Sequence, residues 1–334
     1  MKKIVECIPN FSEGNNFITI QKIADAISET KGVSLLNIDI GKATNRTVMT
    51  FIGEMDAVIE AMYKAFEKAT SLIDMSQHQG THPRMGAVDV CPFVALDASY
   101  EAELIEKVDI FASKVAQNLK VPIYFYEKSA KSPDRKYLAH IRKGEYQGFE
   151  EKMKIDDWKP DFGASWNPKT GASAVGVRDL LIAINVNIQG GTLEIAKKIA
   201  GKLRETGYIG KNSDGKKIRI AGLHKGLRAI GWYIDEFDKF QISMNITDIK
   251  SSPLHLVFES CQNLAKAYNI EVSGSELIGL IPKKAMIEAG YYFNTDCKNS
   301  LEAIETAKNT LHLNEVKRFE VKDHILDIEK IMSL

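Results

Sequence analysis

The chain has 334 residues, 44% of them hydrophobic and 26% charged, and its 44 Lys and Arg balance 44 Asp and Glu to a formal net charge of zero. That length exceeds what one small core needs and predicts two subdomains. The charge balance supplies no global field for nucleic acid or an anionic membrane, and no apolar run is long enough to span a bilayer.

Ile4 to Pro9 reads as a buried strand, and Asn10 to Gly14 as a loop of turn formers, either a substrate loop or a plain strand-to-helix turn. Ser12 is the candidate cap of the next helix, Phe17 to Glu29, whose Ile20, Ile23, Ala24 and Ile27 share one face. Val33 to Ile40 and Arg46 to Gly53 are strand-like and joined by a turn at Gly41 to Asn45. Asp56 caps a helix to about Leu72 with Val58, Ile59, Met62, Phe66 and Ala69 as its stripe. A loop rich in His, Gly and Pro follows, then a strand around Val88 to Leu96, which completes β-α-β-β-α-β. Glu101 to Leu119 is helical and Val121 to Tyr126 a strand. Glu127 to Gly176 is irregular, and a long irregular stretch inside a compact protein is more often functional than idle.

The second half repeats the order: a strand at Asp179 to Ile188, a helix at Thr192 to Thr206, and a Gly- and Lys-rich loop to Lys217. Strands follow at Ile218 to Leu223 and Gln241 to Ile246. A helix runs from Ser252 or Pro253 to about Tyr268, a strand from Ser273 to Leu280, and Ser300 to Leu334 reads as two further helices. The predicted architecture is α/β (α+β): two subdomains, each a mixed, antiparallel-rich sheet covered by helices, with a ligand cleft between them.

The stretch Asp74 to Pro92 concentrates two His, one Arg, two Asp and two Gly in a loop between regular elements, where reactive side chains are presented. His82 is the candidate chemical centre, because Arg84 and Asp89 stand close enough in sequence to orient and tune an imidazole. His78 and His82 have the spacing of two metal ligands on a helix, but Gly80 and Pro83 oppose a helix there, so no metal is expected and His78 reads as loop surface. The turn carrying Asp39, Asn45 and Arg46 offers a carboxylate site through Arg46, or a plain hairpin turn. Gly210 to Lys217 nearly matches a phosphate loop. Lys217 stands where Ser or Thr is needed and no strand is expected before it, so no nucleotide is predicted. Phe162 to Ala172 and His224 to Tyr233 read as two loops that each combine an aromatic, a cation and Gly, which suits a flat heteroaromatic ligand with an anionic tail.

Val5 to Gly14, Thr44 to Thr47, Leu72 to Ser76, His82 to Gly86, Asp89 to Phe93, Pro160 to Gly163 and Ala229 to Tyr233 closely resemble the glutamate formimidoyltransferases. This is also the formiminotransferase domain of the bifunctional formiminotransferase-cyclodeaminases. The resemblance implies an N-terminal subdomain at 1–178, a C-terminal one at 179–300 and terminal helices at 301–334. It implies transfer of a formimino group between N-formimino-L-glutamate and tetrahydrofolate, a co-substrate, at the end of histidine breakdown. The catalytic His falls on His82. Folate contacts fall on Gly163, Ala164, Ser165, Trp166, Asn167, Pro168, Lys169, Thr170, Gly171 and Ala172, and on Lys225, Leu227, Arg228, Ala229, Ile230 and Gly231. Asp39, Asn45, Arg46 and Arg84 are the substrate candidates. Relative to the family pattern the chain carries a turn or hairpin's worth of extra residues between Tyr208 and Gly222.

The resemblance further implies a homodimer, with folate, polyglutamylated or not, and formiminoglutamate as small-molecule partners. No cyclodeaminase domain is expected after Leu334, so a separate protein would process the product. The start Met1 to Glu6 has no signal-peptide pattern, and Cys7, Cys91, Cys261 and Cys297 form no Cys-x-x-Cys pair, which predicts a cytoplasmic protein with reduced thiols. Two rival activities stay open in the sequence: formyl in place of formimino transfer on the same scaffold, and folate binding without catalysis.

Overall fold

The computed structural model describes residues 2–163 and 165–332 and comprises two compact units, Met1–Asp179 and Leu180–Leu334. The first contains β1 (Ile4–Cys7), β2 (Asn10–Phe11), α1 (Phe17–Ser28), β3 (Val33–Gly41), β4 (Arg46–Glu54), α2 (Met55–Leu72), β5 (Val88–Ala95), α3 (Glu101–Leu119), β6 (Ile123–Phe125), α4 (Leu138–Arg142), α5 (Glu145–Lys152) and β7 (Ser173–Val177). β1 and β2 are two pieces of one strand line, set antiparallel between β4 and β5. β3 adds antiparallel to β4, while β7 and β6 add in parallel beyond β5. The sheet is therefore mixed, with antiparallel pairs on one side.

The period-2 alternation of strands sorts its side chains to two faces. Val5, Cys7, Met49, Phe51, Val88, Cys91 and Phe93 join the apolar stripes of α1, α2 and α3 in one core. On the opposite face, Val90, Tyr124, Tyr126 and Ala174 pack under Ile141 of α4 and Phe149 of α5. The remainder of that second face, on β1 to β4, carries Glu6, Asn10, Asn37, Asp39, Arg46 and Thr50, as the register with Ile52 and Val48 requires. A row of polar side chains on a sheet whose other face is dry marks the surface meant for something other than core.

The second unit contains β8 (Ile182–Gln189), α6 (Leu193–Leu203), β9 (Tyr208–Lys211), β10 (Lys217–Ile220), β11 (Leu227–Ile234), β12 (Lys239–Ile246), α7 (Leu254–Lys266), β13 (Glu271–Ile278), β14 (Ile281–Pro282), α8 (Lys283–Phe293), α9 (Ser300–Thr310), α10 (Val321–His324), β15 (Ile325–Leu326) and α11 (Ile328–Met332). Its main sheet is antiparallel in the order β11-β12-β8-β13. Ile182, Ile184, Val186 and Ile188 face α6 and α7, and Ile304, Ala307 and Leu311 of the tail join that core. The other face carries Asn185, Asn187, Gln241 and Glu276, all buried and linked: Gln241 donates to Asn187 at 2.7 Å and Trp232 Nε1 to Gln241 at 3.0 Å.

Several sequence expectations are corrected here. Ser12 does not cap α1; Asn16 does, accepting from Thr19 N at 3.1 Å, while Ser12 Oγ donates to Gly86 O at 2.7 Å. Glu54, not Asp56, is the residue before α2. The stretch expected as irregular ends in β7, and the strand expected from Asp179 starts at Ile182. The Gly210–Lys217 loop is the turn of the β9–β10 hairpin, so a strand does precede it. Leu227–Ile234, expected as a loop, is a strand, and α8 was not anticipated. Among the described residues no helix is long and apolar enough to cross a membrane.

Candidate active site

Polar side chains converge at the end of the first unit's sheet where β4 starts and β5 enters. β2 pairs Asn10 with Val90 but Phe11 with Val88, so Asp89 is an extra residue on β5. Such a bulge re-aims a side chain. Val88 and Cys91 stay in the helical core, and Asp89 is released from the alternation. Its carboxylate is wholly buried and fully used: Oδ1 accepts from Met85 N at 2.9 Å, and Oδ2 accepts from both Arg46 Nη1 and Arg142 Nη2, the latter at 2.7 Å. Arg46 also grips Asn10 Oδ1 through Nε at 3.0 Å and Nη2 at 2.7 Å. Burial alone would raise the Asp89 carboxyl, but the Arg142 and Arg46 guanidinium groups hold it below its ordinary value.

His82 lies partly buried within this charge cluster. Its Nδ1 donates to Pro83 O at 2.6 Å. A carbonyl only accepts, so in the neutral ring the proton sits on Nδ1 and the lone pair on Nε2. Burial, then Arg46 and Arg142, keep the ring well below an ordinary imidazole, against the opposing pull of Asp89 and the Pro83 carbonyl. His82 is thus a neutral base at neutral pH, with Nε2 as its basic atom.

His78 is corrected from loop surface to a brace. Its Nε2 donates to Asn45 O at 2.9 Å and its Nδ1 accepts from Arg84 Nε at 3.3 Å, which fixes a neutral tautomer opposite to that of His82. Arg84, nearly buried, spends its other donors on Glu145 at 2.9 Å, Gln147 at 3.1 Å and the His78 carbonyl at 3.3 Å. Asn45, in the left-handed region at φ 47°, accepts from Gly14 N at 2.8 Å and donates to Gln79 O at 2.8 Å. Arg84 and Asn45 therefore hold the His82 loop in place. Asp39 sits half-buried on β3 opposite Val48, on the same face as Arg46.

The segment expected to bind folate runs alongside this loop. Met75 N donates to Lys169 O, Ala87 N to Thr170 O, and Ala172 N to Met85 O, at 2.8, 2.8 and 2.9 Å. Gly86 and Gly171 form a bridge so close that a Cβ on Gly86 would stand 2.1 Å from Ala172 O. Asn167 Oδ1 accepts from Lys169 N and Thr170 N, an Asx turn, and Pro168 O accepts from Tyr146. Trp166 stacks on Phe149 at 6.4 Å, and Gly163 takes φ 79° beside Val121. Ser165 is exposed, and Ala164 lies outside the described residues.

In the second unit, Lys225 is exposed and β11 alternates. Leu227 and Ala229 point into the helical core and Gly231 backs onto α6. Arg228 and Ile230 share the polar face. Asn10 lies in the loop singled out in the sequence as a substrate candidate, whereas sequence reasoning missed Arg142 as part of the cluster; Arg142 reaches Asp89 from 53 residues away, and no spacing rule links them.

The family described as "Formiminotransferase domain, N-terminal subdomain" matches residues 4–178, and that described as "Formiminotransferase domain" matches 183–330. A glutamate formimidoyltransferase of Streptococcus pyogenes serotype M1 is 38% identical over 88% of this chain and 94% of its own length. One of Thermoplasma acidophilum is 35% identical over 87% of this chain and 92% of its own length. A formimidoyltransferase-cyclodeaminase of Dictyostelium discoideum is 42% identical over 98% of this chain, which spans 60% of that protein's length.

Proposed function

The chain belongs to the formiminotransferase family, and we propose that it is a glutamate formimidoyltransferase, moving the formimino group between N-formimino-L-glutamate and tetrahydrofolate. N5 of tetrahydrofolate adds to the formimino carbon, giving a tetrahedral intermediate. His82 Nε2 takes the proton released from N5 and returns it to the departing glutamate nitrogen, so the C–N bond to glutamate breaks as an amine leaves. The observation that carries the reading is the Nδ1 contact to Pro83, which leaves the basic lone pair on Nε2. Written this way the reaction calls on no metal, nucleotide or covalent intermediate. Holding two substrates side by side supplies much of the rate.

The folate-binding segment of the first unit is Gly163 with residues 165–172; in the second unit Lys225 and Arg228 are the cations suited to a glutamyl tail, polyglutamylated or not. A homodimer in the cytoplasm, acting at the end of histidine breakdown, completes the proposal. The test is incubation with formiminoglutamate and tetrahydrofolate while 5-formimidoyltetrahydrofolate is followed. His82→Ala is expected to lower kcat about 10²- to 10⁴-fold with folate still bound, the range of a lost general acid–base. Normal turnover by a folded His82→Ala protein, or none by the wild type, overturns the reading.

A further inference from the structure

Two guanidinium groups share one carboxylate oxygen beside His82. Arg46 and Arg142 both bind Asp89 Oδ2, and the groups whose charges act on the His82 ring are these three. Asp89 is wholly buried, and the side chains of Arg46 and Arg142 are 10% and 13% exposed. Two cations against one anion leave a positive excess in a poorly solvated place, which is costly until an anion arrives. The donors agree: Arg46 spends Nε and Nη2 on Asn10, whereas Arg142 Nε is buried with no hydrogen-bond partner.

The chemistry excludes one use for that charge. Addition of an amine to a formimino carbon develops no oxyanion, and the protonated formimino group is itself a cation. Positive charge beside the reacting carbon therefore disfavours the transition state. What it does favour is a carboxylate, and formiminoglutamate carries two. Arg142 offers the planar fork that a carboxylate takes.

Resting on the functional reading above, we propose that Arg142, held by Asp89 and seconded by Arg46, is the residue that anchors a carboxylate of the amino-acid substrate and sets its specificity. Lys152 fixes Arg142 in position. Its ammonium donates to the carbonyls of His140 at 2.9 Å and Lys143 at 3.1 Å and to that of Ile141, which closes the turn that carries Arg142.

The test compares formiminoglutamate with two analogues, each with one carboxylate replaced by a carboxamide. Wild type and Arg142→Gln are assayed on all three, with Arg142→Lys as a variant that keeps the charge opposite Asp89. In the wild type, one analogue is expected to lose about 10- to 100-fold in kcat/KM, the worth of a charge-assisted hydrogen bond. Arg142→Gln is expected to lose as much on the parent substrate and no longer to separate it from that analogue, with folate affinity within twofold. Arg142→Lys should recover part of the discrimination. If the variant and analogue losses multiply for both analogues, or if Arg142→Gln moves the pH profile and leaves discrimination intact, the proposal is overturned. Absence of formimino transfer by the wild type removes instead the functional reading beneath it.

Discussion

Asp89 is the anion at the centre of the charge cluster beside His82. It is buried, it accepts from the Met85 amide, and two guanidinium groups depend on it. A buried pair contributes little compared with well-packed apolar residues, but removing one partner strands the other. Asp89→Asn would leave Arg46 and Arg142 without a counter-charge and turn its NH2 either toward both guanidinium groups or toward the Met85 amide. The expected loss is about 3–5 kcal/mol of stability, measured by urea unfolding. The surface pair Lys64–Glu60, with side chains 44% and 62% exposed, is screened by solvent and contributes little. A loss at Asp89→Asn no larger than one at Lys64→Ala would mean that the two arginines are compensated elsewhere.

At the scale of elements, the site depends on how closely two backbones approach. Gly86 and Gly171 let the His82 loop and the 163–172 segment meet, and the atoms a Gly86 Cβ would strike are backbone atoms that cannot swing aside. Gly86→Ala is expected to push the two segments apart and cut turnover by at least about 10²-fold, the cost of roughly 1 Å of misplacement. Circular dichroism should meanwhile show the helices intact; turnover within threefold of wild type would show that the bridge is not what places His82. This bridge was only half legible in the sequence. The Gly-punctuated loop around His82 stood out from its composition, and the helices from their 3.6-residue stripes, because each is a local pattern. The Asp89 bulge and the reach of Arg142 depend on partners far along the chain. β11 was misread because Gly231 and the Trp232–Tyr233 pair look like loop chemistry. In the structure Gly231 is where the strand passes close to α6, with a Cβ position 2.3 Å from the Ala196 carbonyl carbon.

For the molecule as a whole, the cost of a polar sheet face appears in stability. Glu6 lies on that face, 3% exposed, and its Oε2 is buried without a hydrogen-bond partner. Burial pushes its carboxyl up to about 7, against a smaller downward pull from Arg178. The ordinary value is 4.5, so between these two values the folded state binds a proton that the unfolded state has released. Stability from this group is therefore complete below pH 4.5 and is lost as pH rises through 7. The full penalty is about 3 kcal/mol at 1.36 kcal/mol per pH unit. Glu6→Gln has no such titration. Its stability relative to wild type should rise between pH 5 and pH 8 by up to about 3 kcal/mol, read from urea unfolding of both proteins at each pH. A gap that stays constant would mean that Glu6 ionises near its ordinary value and that the sheet face is better solvated than its burial indicates.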